Sequence, residues 1–98
     1  MVNRQYIATV HKDKDSDYGV QFYDFLGCIS AGETIEEAQI MATEALNGHI
    51  ELMLEDGDAI PNPSPLEIII RDDDHQDAIA FLVINISINN LKNTFVSS

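Results

Sequence analysis

Residues 13 to 24 read DKDSDYGVQFYD, and Asp13, Asp15 and Asp17 fall where a calcium-chelating loop places its first three carboxylate oxygens. An EF-hand loop also needs glycine at its sixth position for a sharp turn and a bidentate Glu at its twelfth. Here those positions are Tyr18 and Asp24, and the glycine comes one place late at Gly19. A second candidate is the run Asp72, Asp73, Asp74 and His75, which has metal-ligand chemistry but sits in RDDDHQD, a solvated loop with no regular element to make its side chains converge. Cys28 is the single cysteine, so an internal disulfide and a multi-cysteine zinc cluster are excluded, and in its mostly apolar setting it reads as core filler. No metal or cofactor is expected.

The elements around the first loop decide how it is used. Gln5 to His11 alternates, with Tyr6, Ala8 and Val10 on one side and Ile7, Thr9 and His11 on the other, and Tyr18 to Tyr23 does the same. These are two strands, so KDKDSD is the connection of a β-hairpin and not a loop between helices. Phe25 to Ser30 gives a third short strand, followed by the strongest local signal in the chain. Thr34 and Glu37 have the spacing of a capping box, in which each side chain would accept the other's backbone N–H. Ile35, Ala38, Met41, Ala42, Ala45, Leu46, Leu52 and Met53 then recur at three- and four-residue steps as the sheet-facing stripe of a helix that ends at Gly57. After the prolines 61, 63 and 65, Ser64-Pro65-Leu66-Glu67 repeats the helix-start pattern and favours a short helix from Pro65 to Arg71, against the strand preference of Ile68-Ile69-Ile70. Ala80 to Ile88 is the last strand. The expected fold class is α+β, a three-stranded antiparallel meander, a long helix and a fourth strand, as one domain over residues 1–98.

The net charge of −12 is the most informative total. The basic residues are Arg4, Lys12, Lys14, Arg71 and Lys92, so Asp15 to Ile70 carries twelve acids and no Lys or Arg. Such a surface repels phosphate backbones and favours a cationic protein partner, although acidity also serves plain solubility. With no signal peptide and no apolar run long enough to cross a bilayer, a soluble cytoplasmic protein with no membrane attachment is expected. The helix-start acids Glu33, Glu36 and Glu37, with Asp24 in the preceding loop, form the cluster nominated for contact with a cationic partner. Capping and the helix dipole would select acids at the first three positions even without a partner. One helix covers one face of the sheet, and Ile7, Tyr23, Phe81 and Val83 project toward the other. The short second helix can hide part of that face, and the remainder calls for self-association, at least a dimer, or a bound partner.

The series Tyr6-x-Ala8, Phe22-x-Asp24-x-x-Gly27-Cys28, Gly32-x-Thr34-x-x-Glu37-Ala38, Glu44-Ala45-Leu46 and Asp56-Gly57-x-x-Ile60-Pro61-x-Pro63-Ser64 resembles the N-terminal domain of the HicB-like antitoxins of bacterial toxin–antitoxin systems. The likeness spans about residues 5 to 90. It implies a partial ribonuclease H-like β-β-β-α-β fold and a role in binding and silencing a small basic RNA-cleaving toxin, HicA. Two departures are visible: the family usually has prolines where this chain has Tyr23 and Leu26, and the chain ends at LKNTFVSS without the DNA-binding domain that many members carry, so DNA binding is not expected of it. Ribonuclease H-like hydrolysis needs carboxylates from the first strand, the helix and the fourth strand to hold two metal ions. Neither Gln5 to His11 nor Ala80 to Ile88 contains an acid, so an enzyme is not expected. The alternative to an antitoxin is an orphan domain of this fold that binds RNA or another protein without catalysis. Direct RNA binding is opposed by the charge pattern.

Overall fold

Four strands, β1 (Val2–His11), β2 (Tyr18–Phe22), β3 (Ile29–Gly32) and β4 (Ala80–Ile88), form one antiparallel sheet in the order β3-β2-β1-β4 in a computed structural model that describes residues 2–72 and 77–88. Between β3 and β4 run α1 (Ile35–Glu55) and the short α2 (Leu66–Arg71). This is the expected α+β arrangement. The KDKDSD segment closes the β1–β2 hairpin through Ser16, whose hydroxyl accepts from the Asp13 N–H at 2.9 Å and donates toward the Asp13 and Asp17 carbonyls. The second candidate chelating loop lies outside the described residues at positions 73, 74 and 75.

Strand register sorts the side chains by face. Pairing of Tyr6 with Ile84, Ala8 with Phe22 and Arg4 with Ile86 places Tyr6, Ala8, Phe22, Ile84 and Ile86 on one side of the sheet. They pack there with Ala38, Ala42, Leu46 and Ile50 of α1 in one buried cluster. The contact stripe of α1 therefore follows a strict four-residue step. Met41 and Leu52, expected in that stripe, are exposed instead, and Ile50 takes the inward place. At 100° per residue, Met41 and Leu52 lie on the flank of the helix turned from the sheet.

The third strand starts later than the apolar run suggests. Phe25 to Cys28 is a turn closed by Cys28 N–H donating to the Phe25 carbonyl at 3.1 Å, with Gly27 at φ 87°, a backbone conformation that suits glycine. The turn drives Phe25 inward, edge-on to Tyr6 with ring centroids 4.8 Å apart, and leaves Leu26 at the tip. β3 then begins at Ile29.

Both ends of α1 are built as the sequence indicates, with one change. Thr34 Oγ1 accepts from the Glu37 N–H at 3.0 Å, but Glu37 reaches one residue further back than expected and accepts from the Glu33 N–H at 3.3 Å. At the other end Gly57, at φ 77°, allows its own N–H to donate to Leu54 O and that of Asp58 to Met53 O, which satisfies two terminal carbonyls. α2 is a helix, yet the capping box expected at Ser64 does not form. Pro65 occupies the cap position, one residue later than expected, and has no side-chain acceptor to offer, while Ser64 stands outside the helix with its N–H and hydroxyl both donating to Asp24.

Gly32 is where β3 meets α1. A Cβ there would lie 2.4 Å from the Ala38 backbone nitrogen, which cannot move aside without shifting the helix. Gly48, by contrast, has nothing within 4 Å of the point where a Cβ would stand, and it serves no close approach inside the fold. Gly32→Ala is expected to lower stability by about 2–3 kcal/mol, and Gly48→Ala to raise it by up to about 1 kcal/mol. Urea denaturation of both variants checks this pair of opposite signs.

Candidate protein-binding site

The connector between the two helices is tied down by charge and hydroxyl groups reaching out of the sheet. The buried Tyr6 donates its hydroxyl to the Pro61 carbonyl at 2.6 Å, and the Arg4 guanidinium donates to the Pro61 carbonyl at 3.1 Å and the Ile60 carbonyl at 3.4 Å. Further along the connector, Asp24 accepts from both the backbone N–H of Ser64, at 2.9 Å, and its hydroxyl. Of the acids nominated from sequence, Asp24 is therefore engaged inside the molecule, as a joint between the Phe25–Cys28 turn and the connector. Glu37 is engaged in capping α1. Glu33 and Glu36 are exposed at the helix start.

The structure extends this acidic surface along the whole outer side of α1. Glu36, Glu44, Glu51 and Glu55 are exposed there, and none of them is paired with a cation among the described residues. Arg4, the one cation on β1, is directed to backbone carbonyls instead of to a carboxylate. Between these acids stand apolar side chains, with Ile40 60% and Leu52 62% exposed and Met41 also open to solvent. A shallow depression beside Ile40 is walled by Glu36, Gln39, Thr43 and Glu44. Ile40 was not singled out from the sequence; the four-residue spacing Glu36-Ile40-Glu44 is the signal that marks it as outward-facing.

On the sheet face away from α1, Ile7 pairs with Val83 and Thr9 with Phe81. Ile7 and Thr9 are buried, whereas Phe81 and Val83 are partly open. Tyr23 does not continue β2, which ends at Phe22, and it lines a depression with Leu26, Ile29 and Asp72 near the turn. The four residues expected on this face are thus divided between a covered pair position, two open strand positions and the turn. Burial raises the Cys28 thiol above its ordinary pKa, so at neutral pH it is protonated and suited to packing.

Fold and surface together define an acidic, partial ribonuclease H-like module with no acid on β1 or β4. The family model described as HicB_like antitoxin of bacterial toxin-antitoxin system matches residues 6–97. The chain belongs to this family. It is 40% identical over 78 residues to an uncharacterised 14.9 kDa protein of Haemophilus phage HP1, covering 80% of this chain and 58% of that one. It is 36% identical over 62 residues to Antitoxin HicB of Escherichia coli K12, covering 63% of this chain and 45% of that one. The chain thus spans about half the length of the curated relatives it matches. Among solved structures, the N-terminal domain of the Burkholderia pseudomallei antitoxin HicB superposes with a TM-score of 0.73 at 28% identity, over 86% of this chain and 99% of that one.

The acids differ in what they hold. Asp24→Ala should cost about 2–3 kcal/mol, because it removes a charged acceptor from two hydrogen bonds that join the turn to the connector. Glu44→Gln, on the outer side of α1, should stay within about 0.5 kcal/mol of the parent. Chemical denaturation monitored by far-UV circular dichroism separates the two.

Proposed function

We propose that this chain acts as the antitoxin of a toxin–antitoxin pair, binding and neutralising a small, basic, HicA-like RNA-cleaving toxin through the acidic outer side of α1. The observation that carries the reading is the row of uncompensated carboxylates from Glu33 and Glu36 to Glu55 on a member of an antitoxin family. Glu51 and Glu55 lie at the negative end of the helix dipole, where charge of this sign is unfavourable by some tenths of a kcal/mol each. Helix stability therefore does not account for them. Attraction to a cationic protein does, since like charges held together on one surface steer an oppositely charged partner and are relieved when it binds. The exposed Ile40, Met41 and Leu52 supply apolar contact between the charges.

The module acts by binding and not by hydrolysis. Two-metal cleavage requires carboxylates converging from separate elements, and both central candidates for that role, β1 and β4, carry none. Negative charge on α1 also disfavours a nucleic-acid backbone as the ligand. No helix among the described residues is long and apolar enough to cross a membrane, and the cell interior, where a ribonuclease toxin acts, is the proposed place of action.

Co-expression with a HicA-like toxin is expected to restore growth that the toxin alone arrests. Glu33→Lys combined with Glu36→Lys should slow association by about tenfold at low salt, with the difference shrinking as ionic strength rises. Stopped-flow or biolayer measurements at several salt concentrations check this; association rates that match the parent at every ionic strength would clear these residues of the role.

A further inference from the structure

Gly48 stands in the middle of α1 with no reason inside the molecule to be glycine. Its backbone is ordinary right-handed helix, the glycines with positive φ being Gly27 and Gly57. No described residue lies within 4 Å of the point where its Cβ would stand. A glycine so placed destabilises a helix relative to alanine. It is exposed, and at 100° per residue it falls on the outward strip with Glu44, Glu51 and Glu55, flanked by Met41 and Leu52. Glu51 and Glu55 sit at the end of the helix dipole that disfavours their charge. Three residues of one strip thus lower the stability of the helix that carries them, and all three are turned away from the sheet.

We infer that Gly48 is the point of closest approach of the cationic partner, where the partner's main chain crosses α1 against bare helix backbone. The inference rests on the toxin-binding reading and names the contact within it. Without a side chain, Gly48 leaves a notch in the outer side of α1. Glu44 lies about 6 Å before the notch along the helix axis and Glu51 about 4.5 Å beyond it. A segment crossing there places Lys or Arg side chains on either side within reach of these two carboxylates, while Met41 and Leu52, 42% and 62% exposed, meet its aliphatic parts. Close approach shortens the charge separations and displaces water, and both strengthen the pairing. Charge also fixes the occupant. Glu44, Glu51 and Glu55 have no cation beside them among the described residues, so a second copy of this chain, with its net charge of −12, is repelled from the notch that a basic segment fills.

Biolayer measurements of the chain binding a HicA-like toxin, beside urea denaturation of the free chain, test it. Gly48→Ala should weaken binding by about tenfold and Gly48→Leu by about a hundredfold, although both raise the urea midpoint of the free chain. The loss is steric, so it should lie in the dissociation rate and persist at high salt, unlike the salt-dependent slowing of association expected from charge reversal. Asn47→Ala, a helix-favouring change on the flank of α1 beside β4, should leave binding within about twofold of the parent. Gly48 variants that bind as the parent does, while Glu33→Lys with Glu36→Lys remains slowed, overturn the contact and leave the toxin-binding reading standing. An Asn47→Ala loss equal to that of Gly48→Ala assigns the effect to the helix as a whole and overturns the contact as well. A parent that does not bind overturns both.

Discussion

The arrangement of this molecule depends on how few cations it has and where they are held. Arg4 projects from β1 onto the carbonyls of Ile60 and Pro61, beside the Tyr6 hydroxyl that accepts from it at 3.2 Å, and Lys12 lies over the Tyr18 ring in the first hairpin. Neither neutralises α1. Arg4 instead fastens the connector against the sheet, where a guanidinium donating to backbone carbonyls can satisfy groups that a proline-rich segment leaves without partners. The consequence is a separation of charge by surface, with carboxylates along the outer side of α1 and an uncharged strand at the β4 edge. The first surface is the one through which the proposed cationic partner would be drawn in.

The same fastening explains why a small sheet can present α1 rigidly. Asp24 joins the Phe25–Cys28 turn to Ser64, Tyr6 joins β1 to Pro61, and Phe25 packs edge-on against both Tyr6 and His49 of α1, with ring centroids 4.8 and 5.7 Å away. Residues distant in sequence are thus drawn to one end of α1, and Gly32 brings β3 against its start more closely than any other residue would permit. For the proposed binding through α1, a helix so held loses little conformational entropy on association, which leaves more of the contact energy as affinity.

Much of this was legible in the residues because local and global preferences agree. Alternation marked β1 and β2, the Thr34 and Gly57 caps bounded α1, and the ordered motifs pointed to the family. What escaped was set by contacts between segments far apart in sequence. Ser64 reads locally as a helix cap, but Asp24, brought from forty positions away, accepts from both its N–H and its hydroxyl, and the helix starts one residue later at a Pro65 cap. Asp24 in turn reads as a surface acid until its partner is known. Met41 and Leu52 fit an apolar stripe at three- and four-residue steps, and only the packing against the sheet selects Ala38, Ala42, Leu46 and Ile50 and turns the others outward. The Gly27 turn shortened β3 because a left-handed glycine ends a strand that its apolar neighbours would continue.

The most direct measurement is a titration of the isotope-labelled chain with a HicA-like toxin, the proposed partner, followed by amide chemical shifts. If uncompensated charge on α1 is what the partner recognises, the largest shifts cluster at Glu36, Ile40, Glu44, Gly48 and Glu51 and diminish in high salt. Shifts confined to the far face of the sheet, around Ile7, Phe81 and Val83, and insensitive to salt, would contradict it.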